Sequence, residues 1–373
     1  MEDSPDAGRI IQDHRNLHNW TNKSVGDNDD ELPLYMKFND GHRLSIAAYS
    51  VLLVFSAVAN MTVLVLLVKR KRVQPSRINT MLMHLAIADL MVTFLIMPLE
   101  IVWAYTVQWL AGDAMCRIMS FFRTFGLYLS SFILCCLSID RYYAVMKPLQ
   151  LVNLDRRERL MILGAWIGAA ICSAPQIYIF HLEHHPAITW YWQCVSFNIF
   201  PNTYYELAYN IFVLMAMYAL PLVVVLFSYS SILLEIFRRT RNPGYADGVT
   251  RSSLAFLGRA KIRTLKMTII IVLVFFVCWT PYQVMCIWYW YDGVTALKVD
   301  ARIQKGLFLF ACTNSCANPV VYGIFNIRAR RRTARVRPRL NSNTVTFRTS
   351  CIPPHITAET RLSPLEISLR SLE

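Results

Sequence analysis

Charge is scarce in this chain. Only 17% of its 373 residues are charged while 55% are apolar, and the mean hydropathy is +0.35; a soluble domain carries about a quarter charged residues. That shortage points away from a soluble globular domain and toward a membrane protein. The signatures of catalysis are missing too. No phosphate-binding loop or nucleophile elbow appears in the exposed segments, and the cysteines show neither CxxC nor Cys/His metal spacing, so no enzymatic or metal function is expected. The first residues lack an apolar core with a small-residue cleavage site, so no signal peptide is predicted and the first apolar run is expected to serve as the insertion signal. No internal repeat is visible, which counts against a secondary transporter built from paired halves.

What is present is a series of long apolar runs, at about 44–68, 80–104, 115–139, 160–180, 207–233, 267–291 and 305–325. Each reaches the roughly 20 residues a helix needs to cross a hydrocarbon core of about 30 Å. Barrel strands would alternate and be about half as long, and lipid offers no partner to an open backbone, so the runs read as helices. The expected fold is an all-α, seven-transmembrane helix bundle over 44–325, with polar tails at 1–43 and 326–373. A retinal photoreceptor would need a lysine deep in the seventh run, where Cys312 stands; Lys305 lies too near the outer end.

The net charge of +14 is concentrated in KRKRVQPSR after the first run, in the connection after the fifth, and in NIRARRRTARVRPR after the last. The alternate connections QWLAGDAMC, HLEHHPAITWYWQC and YDGVTALKVDAR are poor in Lys and Arg. The positive-inside rule then puts the basic set in the cytoplasm and the N-terminus outside. Basic clusters at the ends of spans meet anionic inner-leaflet lipid, which argues for membrane lipid and against nucleic acid as their partner. Two sequons, at Asn19 and Asn22, suit an extracellular tail. Of the ten cysteines, only Cys116 and Cys194 fall on the outer side, and two thiols on an oxidising face suggest one disulfide. The cysteines within spans read as small apolar packing residues.

A polar side chain at membrane depth is costly, about 2.5–3.5 kcal/mol for a charge on insertion scales, so each marks a candidate site. Asn60, Asp89, Ser130, Asn314, Ser315 and Asn318 are such residues. Together they can form a satisfied polar knot, either purely structural or able to hold a monovalent cation such as sodium near Asp89. At the end of the third run, in LSIDRYYAVMKPL, Asp140 and Arg141 stand together as a conformational switch or as a surface ion pair. Pro281, two residues after Trp279, is expected to kink the sixth helix, and Pro319 to break the seventh ahead of Tyr322.

Asn60, Asp89, Asp140-Arg141-Tyr142, Trp166, Pro221 with Tyr229, Cys278-Trp279-Thr280-Pro281 and Asn318-Pro319-Val-Val-Tyr322 together resemble the rhodopsin-like G-protein-coupled receptors, over all seven helices. The runs MPLEIVWAYTVQWLAGDAMC and CWTPYQVMCIWYWYDG resemble the gonadotropin-releasing-hormone receptor superfamily. FFRTFGLYLSSF, SIDRYYAVMKPLQL and VDARIQKGLFLFACTNSCANPVVYGIFNIRAR look most like insect-type adipokinetic hormone receptors, with receptors for corazonin and for the adipokinetic/corazonin-related peptide as alternatives. The helix 2 acid and helix 7 amide stand in the usual arrangement here, whereas vertebrate hormone receptors exchange them. One departure is Lys261, near the position where many relatives carry an acid that pairs with the helix 3 arginine.

The resemblance implies a short neuropeptide ligand, a heterotrimeric G protein of the stimulatory type raising cyclic AMP, possible calcium signalling, and arrestin binding to a phosphorylated tail. It implies switch roles for Asp140, Arg141, Tyr142, Tyr229, Trp279, Pro281, Asn318, Pro319 and Tyr322. NIRARRRTAR reads as a short amphipathic helix along the membrane. For the ligand, Arg123 lies seven residues from Cys116, two helical turns into the bundle. An arginine there would repel a cationic amine and suits a ligand rich in hydrogen-bond acceptors. Glu100 is the second charge; the two either pair with each other or both engage a peptide. Trp103, Gln176, Tyr282, Tyr289 and Phe308 complete the candidate pocket in an outer end crowded with aromatics, some of which are interfacial anchors.

Overall fold

The computed structural model describes residues 36–73, 76–146, 154–185, 188–196, 198–241, 258–296, 299 and 301–336. Asn19, Asn22 and the Ser/Thr sites of the tail lie outside them, as does much of the third basic connection. Among the described residues seven helices are long and apolar enough to cross a membrane. They comprise α1 (Asp40–Val73), α2 (Arg77–Thr106), α3 (Gly112–Met146), α4 (Leu154–Ser173, extended by a turn at Pro175–Ile179), α5 (Thr203–Arg238) and α6 (Gly258–Tyr291). The seventh span is made of α7 (Ala301–Cys312) followed by α8 (Asn314–Val336). Most run past the expected apolar boundaries because helical hydrogen bonds persist where the side chains turn polar.

The third helix is the axis. In its most apolar stretch 67% of residues are buried, against 22% in α1 and α5, so those two present most of their surface outward. Association of such helices gains little from the hydrophobic effect, since lipid is as apolar as leucine; close packing and interhelical hydrogen bonds do the work. Gly126 of α3 shows the first: a β-carbon there would stand 3.3 Å from Val92 Cγ2 and 3.6 Å from Met91 Cβ of α2.

Prolines organise the second. Each removes the N–H that would bond the carbonyl four residues earlier. Pro221 thereby leaves the Met217 carbonyl free, and Ser131 Oγ donates to it at 2.8 Å. Pro319 frees the Ser315 carbonyl, and Asn60 Nδ2 donates to it, also at 2.8 Å. A π-helical turn lies just ahead of Pro98 (Val92–Ile96) and another just ahead of Pro221 (Met215–Ala219); the wider turn absorbs the backbone mismatch within a continuous helix.

The expected break at Pro319 is corrected by this geometry. The helix runs through Pro319, and the interruption in the seventh span falls at Thr313. With Asn60 taking the orphaned carbonyl, Pro319 has no need to break the helix. Pro281 likewise sits inside an unbroken helix. The backbone of NIRARRRTAR is helical as part of α8, while its side chains lie outside those described.

The connection between α4 and α5 is a hairpin of β1 (His181–His185) and β2 (Ile188–Val195), antiparallel, with Leu182 opposite Cys194 and Glu183 opposite Gln193. Cys194 is bonded to Cys116 at the start of α3. Asp113 Oδ1 accepts from Leu182 N at 2.9 Å, and Trp109 N donates to the Trp192 carbonyl at 2.8 Å. The hairpin is thus held at the ends of α2 and α3.

Candidate functional site

At the hairpin end of the bundle Arg123 and Glu100 form an ion pair, Nη2 to Oε1 at 2.8 Å. Both side chains are mostly withdrawn from the surface, 28% and 18% exposed. The guanidinium also lies 4.7 Å from the centre of the Phe308 ring on α7, a cation–π contact of about 0.5–2 kcal/mol. From Phe308 the contacts continue inward. Its ring is 5.5 Å from Tyr282, which meets Trp279 at 6.2 Å edge-on, and Trp279 meets Phe275 at 6.2 Å. A chain of touching groups therefore joins the charged pair to the middle of α6, where Trp279 is buried with its Nε1 lacking a partner among the described residues. Alongside, Tyr218 of α5 donates to Thr280 Oγ1 at 2.6 Å, that hydroxyl donating in turn to the Phe276 carbonyl.

The other pocket candidates fall around this line. Trp103 Nε1 donates to Gln193 Oε1 of the hairpin at 2.9 Å, and Gln193 Nε2 reaches the Val107 carbonyl at 2.8 Å. Gln193, which carried no sequence signal beyond its place before Cys194, therefore ties α2 to the hairpin. Gln176 is buried and its amide donates to the Tyr209 hydroxyl of α5. Tyr289 is partly buried on α6.

In mid-bundle the polar knot can be followed proton by proton. Asn60 Nδ2 donates to the Ser315 carbonyl and, at 3.0 Å, to Ser56 Oγ. Since Thr93 Oγ1 donates to the Asp89 carbonyl at 2.6 Å, the 2.7 Å contact between Ser56 and Thr93 has Ser56 as donor. Asn318 Nδ2 donates to Asp89 Oδ2 at 2.9 Å. Ser56 and Thr93 were not singled out in the sequence because hydroxyls in apolar helices usually bond their own backbone. Ser130 and Asn314 are buried, and Ser130 Oγ, Asn314 Oδ1 and Asn318 Oδ1 have no hydrogen-bond partner among the described residues. Asp89 Oδ1 likewise has no partner among the described residues, and its carboxylate is bonded to the Asn318 amide; such oxygens are hard donors of the kind a sodium ion takes.

At the opposite end Asp140 is fully buried and pairs with Arg141, with Arg77 of α2 at 3.3 Å and with Arg157 of α4 at 3.9 Å. Arg157 also covers the Tyr143 ring at 4.1 Å. This is no exposed surface pair. Arg77 and Arg157 could be read from sequence only as part of the basic ends. Tyr142 packs on Phe227 of α5 at 5.8 Å. The Tyr229 hydroxyl donates to Thr268 Oγ1 of α6 at 2.9 Å, and Arg70 of α1 donates to the Tyr322 hydroxyl at 3.4 Å. The side chain of Lys261 is outside those described. Among the described residues no group of His, Cys, Asp and Glu could hold a metal ion.

The arrangement has a charged and aromatic cluster at one end, a polar knot in the middle and a basic cluster around Asp140 at the other. The profile of the 7 transmembrane receptor (rhodopsin family) matches residues 59–322. The gonadotropin-releasing hormone II receptor of Clarias gariepinus is 38% identical over 292 residues, 77% of each chain. The gonadotropin-releasing hormone receptor of Sus scrofa is 34% identical over 263 residues, 69% of this chain and 80% of its own. The gonadotropin-releasing hormone II receptor of Chlorocebus aethiops is 33% identical over 318 residues, 84% of this chain and 82% of its own. The match reaches into all seven spans: the chain belongs to the rhodopsin family of seven-transmembrane receptors, a family of receptors rather than enzymes, among relatives of the gonadotropin-releasing hormone receptors.

Proposed function

We propose that this protein is a plasma-membrane receptor for a short peptide hormone of the adipokinetic type, blocked at both termini and containing aromatic residues. The observation that carries the reading is the Glu100–Arg123–Phe308 cluster. Glu100 is already engaged by Arg123, so no free carboxylate there serves a cationic amine. The remaining guanidinium donors and the faces of Phe308 and Tyr282 suit a ligand that offers carbonyls and rings. The similarity to gonadotropin-releasing hormone receptors supports a related peptide as the ligand class.

Binding favours one of two bundle arrangements. Peptide contact with Arg123 loosens its grip on Glu100 and shifts Phe308, and the shift passes through Tyr282 to Trp279 beside Pro281. The basic end then opens as Asp140 releases Arg141 and as Tyr229 and Tyr322 exchange partners, admitting a stimulatory G protein that raises cyclic AMP, with calcium signalling as a second output. In this orientation the N-terminus and the glycosylated Asn19 and Asn22 are extracellular, and the phosphorylated tail recruits arrestin. A sodium ion near Asp89, taking oxygens of Ser130, Asn314 and Asn318, would favour the resting arrangement.

Cells expressing the chain should raise cyclic AMP at nanomolar concentrations of an adipokinetic-type peptide. A response confined to corazonin-type or gonadotropin-releasing-type peptides would refute the ligand assignment while leaving the receptor assignment standing.

A further inference from the structure

At the end of the bundle that carries Asp140 and Arg141 a cavity of about 200 Å³ lies between the start of α2, the end of α3 and the start of α6. Ser76, Arg77, Arg141, Val145, Ile262 and Leu265 are among its walls. Two arginines and the Ser76 hydroxyl face an otherwise apolar lining, and among the described residues no carboxylate lines it.

The charges behind this wall do not balance. Asp140 is one carboxylate facing three guanidiniums, those of Arg77, Arg141 and Arg157. The next acid, Glu158, is hydrogen-bonded to Thr80. Arg77 Nη1 and Arg157 Nη2 are the atoms that face Asp140 Oδ1, at 3.3 and 3.9 Å, while Arg141 Nε and Arg157 Nε are buried with no hydrogen-bond partner among the described residues. Arg141 is only 7% exposed. Charged donors withdrawn from water and short of acceptors call for an anion, and Arg141, which owns one of them, lines the cavity together with Arg77.

We propose that this cavity binds the phosphate headgroup of an anionic amphiphile from the adjoining leaflet. Arg77 and Arg141 grip the phosphate oxygens through their planar forks and Ser76 donates its hydroxyl. Ile78, Val145, Ile262 and Leu265 line the path of the acyl chain. A ligand so placed bridges α2 and α3 to α6. It therefore stabilises the arrangement in which α6 is packed against the bundle, and it opposes the α6 movement of the receptor reading, on which this regulatory consequence rests.

Binding itself is measured apart from signalling. The full chain, purified in neutral detergent, is melted with dioctanoyl phosphatidic acid, with dioctanoyl phosphatidylcholine, or with inorganic phosphate. Phosphatidic acid should raise the unfolding midpoint with a saturable dependence on concentration, as any ligand of the folded state does, while the other two leave it unchanged. Arg77→Gln should weaken the phosphatidic acid effect by about 10-fold or more, the loss of a charge-assisted hydrogen bond. Ala144→Phe should abolish it by filling the cavity with both arginines retained. An equal shift with phosphatidylcholine, an equal shift with inorganic phosphate alone, or a shift that survives both variants would overturn the proposal. The wild-type comparison decides the matter even where a variant fails to fold. A missing peptide response would sink the receptor reading without touching these melts.

Discussion

Arg123 and Glu100 can be separated by charge-neutral substitution, and the two roles open to them predict opposite outcomes. Glu100→Gln keeps the shape and Arg123→Gln shortens the side chain while keeping an amide donor, and each removes one charge. Breaking a buried pair from one side leaves the other charge uncompensated, at a cost of about 3–5 kcal/mol. The exposures of 28% and 18% place this pair toward the lower end of that range. Each single variant should therefore lose stability, read as a lower melting midpoint of purified receptor. The double variant should regain most of it, because two amides can hydrogen-bond to one another. Peptide potency behaves differently if Arg123 also contacts ligand. Losing a hydrogen bond from a charged group costs about 1.5–3 kcal/mol, a rise of about 10- to 150-fold in the half-maximal peptide concentration. That loss should appear in Arg123→Gln and persist undiminished in the double variant, measured at matched surface expression. If the double variant recovers potency together with stability, Arg123 serves only to hold Glu100, and its proposed ligand contact is wrong.

Three further outcomes follow from the same structure. Asn60→Leu removes the donor from the Ser315 carbonyl that Pro319 leaves free, and should destabilise the bundle by about 1–3 kcal/mol; adding Pro319→Ala, which restores a backbone N–H, should recover part of the loss in melting experiments. Gly126→Val places a branched side chain where a single β-carbon already meets Val92 at 3.3 Å, so surface expression should fall sharply, with Gly126→Ala intermediate. Cys116→Ala opens a loop of sequence separation 78, worth about 4.5 kcal/mol in chain entropy; the surface level should drop, and an unchanged level would argue against a structural role for the disulfide.

Much of this architecture can be read from the chain because lipid permits few solutions. Seven apolar runs can only be helices, and their order and polar residues announce the family. The hydrogen bonds that join the helices are another matter. Asn60 and Pro319 are visible as residues, but their cooperation is visible only when the carbonyl of Ser315 is seen between them. The seventh helix illustrates the consequence: proline alone suggests a break at Pro319, whereas the interruption lies at Thr313. At the ligand end, the Glu100–Arg123 contact follows from two charges in one apolar region, but the Phe308 ring over the guanidinium depends on how α7 is turned. At the other end, Arg77 and Arg157 lie 63 and 17 residues from Asp140 in sequence, in segments whose positive charge had a sufficient explanation in membrane topology. Only packing brings them to one carboxylate.

The central claim is that the outer cluster recognises an end-blocked, aromatic peptide through acceptors rather than through positive charge. Its most direct test is competition binding on membranes from expressing cells, with a labelled adipokinetic-type peptide as tracer. The account predicts nanomolar displacement by the unlabelled peptide and much weaker displacement by analogues carrying a free N-terminal amine. Equal or tighter binding of the free-amine analogues, or no saturable binding of the tracer at all, would contradict it.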